Sequence, residues 1–329
     1  MARTVLPKIE ALENVVQANR GLTAVIKKEI SDHLSGRRFL ILVILVVVAC
    51  LASLYIAASA IRSAGQNADF VFLKLFTVAG STLPFSFTAF VSFLGPLLGL
   101  MMGFDAINGE RDRGTLSHVL SQPIYRDALI NGKFIAGVIV LALVVFGLGL
   151  LTGGLGLLVF GVPPTVEELL RILVYLVLSV VYISFWLALS LLFSILFRQT
   201  TTSALAGIAL WLFFTLFAVF FVGMIANAIF PLSESSPAQQ VLANARLEMW
   251  LGRISPNALY DEATVTLLNP SVRALGFVML DQLYGAIDAP LSFGQSLLLI
   301  WPHLVSLIAA TLICFAAAYF AFMRQEIRA

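Results

Sequence analysis

Six long stretches of this chain contain no aspartate, glutamate, lysine or arginine: 39–61, 81–104, 134–160, 172–197, 199–230 and 291–323. Ion-coupled transporters and proton pumps place ionisable groups at membrane depth to hold the coupling ion or relay the proton, and none is supplied by these runs. Cysteine is almost missing too. Cys50 and Cys314 both fall inside apolar runs, which excludes a disulfide framework and a zinc site and leaves two buried thiols. No G-x-x-x-x-G-K-[ST] phosphate loop is present, since Gly132-Lys133 is followed by Phe134. Nor is there a G-x-S-x-G elbow or a pair of carboxylates within a run, so membrane hydrolase chemistry lacks a nucleophile and a base. His33, His118 and His303 are far apart, and His303, beside Pro302, reads as a hydrogen bonder between helices. No catalytic, cofactor-binding or metal-ligating residue is expected. Work done by this protein must then draw its energy from a partner.

What the chain has is apolar length. Sixty per cent of its 329 residues are apolar, 12% are charged, and the mean hydropathy is +0.98, more than a water-soluble domain can bury. Each uncharged run is long enough to cross about 30 Å of hydrocarbon as a helix. A β-barrel would need short alternating segments instead. The first run begins near Phe39 and is too long for a signal-peptide core, so it is expected to stay as an anchor. Six crossings put both termini on one side. Fourteen lysines and arginines fall on that side and six on the other, which makes both termini cytoplasmic in a cell (cytoplasmic) membrane.

Residues 1–19 read as a loosely structured lead-in. Leu22, Val25, Ile26, Ile30 and Leu34 then share one helical face. Such a helix can lie in the headgroup layer with its apolar face down, or pack on protein. The segment 231–290 is net acidic and holds Glu248, Asp261 and Glu262. Leu242, Ala245, Leu247 and Trp250 predict one short helix, and Asn257 could cap a second that runs to Leu268 and stops at Asn269-Pro270. The segment reads as a small external helical cap. The division is therefore 1–38, a cytoplasmic amino terminus; 39–230, five spans with a cytoplasmic loop at 105–133; 231–290, external; and 291–329, a sixth span and tail.

That loop carries the densest signal. Mixed charges in Asp105-Ala106-Ile107-Asn108-Gly109-Glu110-Arg111-Asp112-Arg113-Gly114-Thr115 lead to a short helix with Leu116, Val119 and Leu120 on one face, ended near Pro123. A helix so short is unstable alone and should dock onto something.

The order of Lys28-Glu29-Ile30, Arg37-Arg38 and a first span, then Glu110-Arg111-Asp112-Arg113-Gly114-Thr115-Leu116 with Leu120-Ser121-Gln122-Pro123, and Gly132-Lys133 at the third span, resembles the type-2 ABC transporter permeases. Within them it is most similar to the subgroup that includes the permease of the nitrous-oxide reductase maturation system, as do Ser255-Pro256-Asn257-Ala258-Leu259-Tyr260 and Leu267-Leu268-Asn269-Pro270. The resemblance implies an all-α membrane fold with an amino-terminal elbow helix, whose membrane face would be Leu22, Val25, Ile26 and Ile30. It also implies a coupling helix that enters a groove of a separate ATPase. Glu110, Arg111, Arg113, Gly114, Thr115, Leu116 and Leu120 would form that interface. Two permeases and two ATPases would make the working unit, with ATP and Mg on the ATPases, lipid around the spans and no nucleic acid. The function implied is export of a hydrophobic or amphipathic substrate along a path between two copies, lined by residues such as Thr200, Thr201, Thr202 and Ser203. Two other readings stay open. One is an ATP-driven mechanical or assembly role on an extracytoplasmic partner, suggested by the long 231–290 segment, and the other an ATP-independent channel or structural protein.

Overall fold

The computed structural model describes residues 6–64, 70–78, 86–115, 125–161, 163–233, 236–270 and 291–325. Among these the chain is all-helical, with no strand. The helices are α1 (Leu6–Ser35), α2 (Arg37–Ala64), α3 (Val71–Thr77), α4 (Phe87–Gly103), α5 (Asn108–Asp112), α6 (Arg126–Phe160), α7 (Val166–Leu196), α8 (Thr200–Leu212), α9 (Ala218–Ile229), α10 (Ala238–Gly252), α11 (Pro256–Leu268) and α12 (Phe293–Arg324). A π-helical turn at Phe213–Phe217 joins α8 and α9 into one rod. Six helical stretches are long and apolar enough to cross a bilayer: Phe39–Ser59, Phe87–Asp112, Arg126–Val159, Val166–Leu196, Thr200–Ile229 and Phe293–Arg324. The protein is a multi-pass membrane protein.

Local chemistry sets the helix ends. Thr165 and Glu168 form a reciprocal capping box at the start of α7, with Thr165 Oγ1 accepting from the Glu168 N–H at 3.2 Å and Glu168 Oε2 accepting from the Thr165 N–H at 2.9 Å. Helix α4 starts at Phe87, where Ser86 Oγ accepts from the Ala89 N–H and fixes the first turn; residues 81–85, expected in the second span, lie outside the described residues. Helix α1 begins at Leu6. The lead-in expected over 1–19 is thus helical from residue 6, where Ile9, Leu12 and Val16 continue a helical spacing.

Helix α7 is the hub. Nearly three quarters of its apolar window is buried (72%), against 6% for the α8–α9 rod. Helix α4 reaches α7 through Gly95, Gly99 and Gly103, spaced four apart on one face. A Cβ on Gly99 would stand 2.6 Å from the Ile183 carbonyl oxygen, and one on Gly103 2.8 Å from Ser190 Cβ. Bare backbone is what lets these two spans touch, as small residues do where lipid supplies no hydrophobic push between helices. Helix α12 covers another flank of α7.

The two helices expected in the external segment are present as α10 and α11, and α11 packs against α7 and α12. Asn257 lies beside Tyr182 of α7, with Oδ1 3.0 Å from Tyr182 Oη, and its Nδ2 donates to Thr215 Oγ1 at 2.9 Å. Tyr260 stacks on Tyr182 with ring centroids 4.2 Å apart and lies 2.8 Å from Ser179 Oγ. At 1.5 Å per residue, Tyr182 is roughly 24 Å along α7 from Val166, near the middle of the span. Helix α11 therefore starts level with the middle of α7 and runs antiparallel to it, reaching Arg171 at Leu267. Ser255 occupies the N-cap position, not Asn257, whose side chain is used against α7 and the rod.

This placement corrects one inference from the sequence. The six uncharged runs lack fixed charge, but the bundle they form does not, because α11 packs against α7 and α12 and carries Asp261 and Glu262. Glu262 meets His303 of α12 at 2.8 Å and Arg253 at 2.8 Å. His303 is a helix-to-helix hydrogen bonder, as its isolation suggested.

Candidate functional site

The charged loop and the amino-terminal helix converge at the opposite end of the bundle. Helix α1 lies along α6, and Gly132 makes the approach possible: a Cβ there would stand 2.6 Å from Val25 Cγ1. Val25 is 3% exposed, in an apolar cluster with Ile107, Leu129, Ile130, Leu191 and Phe322. Four residues on, the same face of α1 carries Glu29 into this cluster's edge.

Lys133 of α6 answers it. Its Nζ donates to Glu29 Oε1 at 2.8 Å and to Glu110 Oε1 of α5 at 2.9 Å. All three residues are buried, at 6%, 5% and 6% exposure for Glu29, Glu110 and Lys133. Lys28, at the rim, lies 3.1 Å from Glu29, 3.3 Å from Asp32 and 3.6 Å from Glu110. Burial works against ionisation of Glu29, but the charges and hydrogen bonds of Lys133 and Lys28 outweigh it and hold the carboxyl below its usual range. Burial pushes the nearby His33 down, against the pull of Glu29 and with the repulsion of Lys133. Glu110 Oε2 has no hydrogen-bond partner among the described residues.

Neighbouring contacts fix the strip that bears Glu110. Ser194 Oγ of α7 accepts from the Ile107 and Asn108 N–H groups at 2.9 and 3.2 Å and donates to Asn108 Oδ1 at 3.0 Å, holding the break between α4 and α5. Arg111 Nη2 donates to Gln325 Oε1 at 2.6 Å, and Gln325 Nε2 donates to the Ile195 carbonyl at 2.8 Å, which ties the strip to the ends of α12 and α7. Gly114 turns the chain with φ +68°, a left-handed conformation that costs glycine little. Thr115 Oγ1 donates back to the Glu110 carbonyl at 3.1 Å.

Of the residues predicted for a coupling interface, Glu110 is buried in the cluster, Arg111 is half-buried, and Arg113, Gly114 and Thr115 are exposed. Leu116 and Leu120 lie outside the described residues. On α1, Val25 and Ile30 pack on protein, and Leu22 and Ile26 are half-buried. Sequence reasoning did not assign roles to Glu29, Lys133, Asn108, Ser194 and Gln325. A signal existed for Glu29, an acid set into an apolar stripe, which needs a buried cation from elsewhere in the chain.

The cluster can hold three helices in register and transmit displacement between them. Residues 23–327 match the model of a family described as ABC-2 family transporter protein. A probable ABC transporter permease protein NosY of Stutzerimonas stutzeri is 28% identical over 255 residues, covering 77% of this chain and 84% of the relative. One of the same description from Pseudomonas aeruginosa is 30% identical over 241 residues, covering 71% of this chain and 78% of the relative.

Proposed function

Since this chain belongs to the ABC-2 family of transporter proteins and is a membrane permease subunit of that class, we propose that it couples ATP hydrolysis on a separate cytoplasmic ATPase to export of a hydrophobic or amphipathic substrate. The observation that carries this reading is the Lys133 cluster, which ties α1, α5 and the foot of α6 by buried side-chain ion pairs. In this mechanism the ATPase grips residues 116–124, with Leu116 and Leu120 in an apolar groove and Arg111 and Arg113 beside it. Closure of the ATPases on ATP and Mg pulls the strip, and Glu110 passes the pull to Lys133 and α6. Arg111 passes it through Gln325 to α12. Both termini are cytoplasmic, so the cluster faces the ATPase. A second copy of the chain packs against the α8–α9 rod, which is 6% buried within one chain, and the export path runs between the two copies beside Thr200, Thr201, Thr202 and Ser203.

Co-expression of the permease with its ATPase tests the coupling. Leu116→Asp or Leu120→Asp places a charge in an apolar groove and should weaken association by about tenfold or more. Normal co-purification and normal stimulated hydrolysis in both variants would contradict the proposal. So would the absence of ATP-dependent uptake of any of a broad panel of cargoes by inverted vesicles containing both proteins.

A further inference from the structure

Between α4, the outer half of the rod, α10 and α11 lies a groove of about 980 Å³, large enough for a drug-sized molecule. One wall is apolar, with Phe93 and Phe214. Set into the other are two carboxylates, Glu248 of α10 and Asp261 of α11. Neither is in an ion pair with another described residue, and no lysine, arginine or histidine is among the described residues that line the groove. Glu248 leans across to the rod, where a Cβ on Gly223 would stand 3.4 Å from its Oε1. A second feature points to a ligand. Ser255, 6% exposed at the N-cap position of α11, lines the same groove without capping its helix, and its Oγ has no partner among the described residues.

A cleft lined by charge of one sign and walled by low-dielectric protein concentrates its field on the opposite charge. Among the described residues, no group of three Asp, Glu, His or Cys side chains is arranged to hold a metal ion, and the aromatic wall suits an organic body with a cation that can also sit over a ring face. We propose that this groove takes a cationic amphiphile, with its positive head toward Glu248 and Asp261, its apolar body on Phe93 and Phe214, and a polar atom within reach of Ser255. This deepens the exporter reading and rests on it, since the bound cation is then the cargo.

Two ions of one shape and opposite charge separate this from simple greasiness. The purified permease in dodecyl maltoside, whose head group is uncharged, is titrated with tetraphenylphosphonium and with tetraphenylborate. The phosphonium should bind saturably and the borate should fail to displace it. Glu248→Gln with Asp261→Asn should weaken phosphonium binding by about tenfold or more, and Asp261→Glu should restore it in the single-site series. If the double variant elutes as an aggregate, Glu248→Gln alone carries the test. Equal binding of the two ions, or undiminished phosphonium binding in a folded neutralised variant, overturns the proposal. The exporter reading fails differently: charge-selective binding would persist, but inverted vesicles bearing the ATPase would show no ATP-driven phosphonium uptake.

Discussion

Each end of the bundle is tied by a buried cation, and the two ties are built differently. At one end Lys133 holds Glu29 and Glu110, each on another helix and all buried. At the other, Arg171 is wholly buried and pairs, among the described residues, with one carboxylate, Glu167 of its own helix, whose side chain is 40% exposed. Its other hydrogen bonds go to the Leu267 carbonyl at 2.8 Å, the Leu291 carbonyl at 2.7 Å and Ser296 Oγ at 3.0 Å. A guanidinium that grips the end of α11 and the start of α12 fixes backbone to backbone. The Lys133 ion pairs, between side chains, can open by rotamer changes and leave every helix intact. The Arg171 end acts as a frame and the Lys133 end as a joint.

Removing the cation from each end tests that distinction, and the joint should suffer more. Lys133→Met leaves two buried carboxylates with only the half-exposed Lys28 at the rim to answer them, a loss of about 3 kcal/mol, read as a lowered unfolding temperature in detergent. Replacing Glu29, Glu110 and Lys133 together by apolar residues of similar volume should recover most of that stability while leaving ATPase-driven transport absent. Arg171→Met leaves carbonyls unsatisfied but lets Glu167 turn to solvent, so the cost should be about 2–3 kcal/mol. A larger loss at Arg171 than at Lys133 would reverse the assignment of joint and frame. Ser194→Ala strips one hydroxyl from the Ile107 and Asn108 N–H groups and should cost about 1–2 kcal/mol, with slower stimulated hydrolysis if the strip is the moving part.

The six spans were legible because some twenty consecutive residues without charge have few places to go except through a bilayer as a helix. The ends of α11 were nearly legible, since Pro256 suits a first turn and Asn269-Pro270 a stop. Its depth was not. A segment with few apolar residues reads as external, yet Tyr260 and Asn257 find hydroxyl partners on α7 and the rod, and these polar contacts let α11 enter the bundle. For the same reason the lack of charge in the spans did not exclude charge between them. At the joint, Glu110 stood out within its motif, but Lys133 and Glu29 are far apart in sequence and only packing through Gly132 brings them together. The glycines of α4 belong with these. Their spacing was on view, whereas the identity of the helix they meet is a tertiary fact.

Acid should loosen the joint in two steps, the smallest of these effects. His33 is held below its ordinary 6.5 chiefly by burial, so the folded state binds its proton less readily than the unfolded chain. Its contribution is neutral above that value, and stability declines as pH falls below 6.5. Glu29 is held below its ordinary 4.5, with Lys133 and Lys28 overcoming burial. Its contribution is complete above 4.5 and is lost as pH falls further, toward its folded-state value. Both signs agree, and the groups facing them, Lys28, Asp32, Asp105, Glu110 and Lys133, move with the same cluster. Unfolding temperature measured from pH 7.5 to pH 4, a range of about three and a half units, should fall first with His33 and then with Glu29. His33→Gln should remove the first step alone and Glu29→Gln the second, whereas the same titration of Arg171→Met should keep both. Wild-type behaviour in His33→Gln and Glu29→Gln would place the acid-sensitive groups elsewhere and remove the electrostatic basis for calling this end the joint.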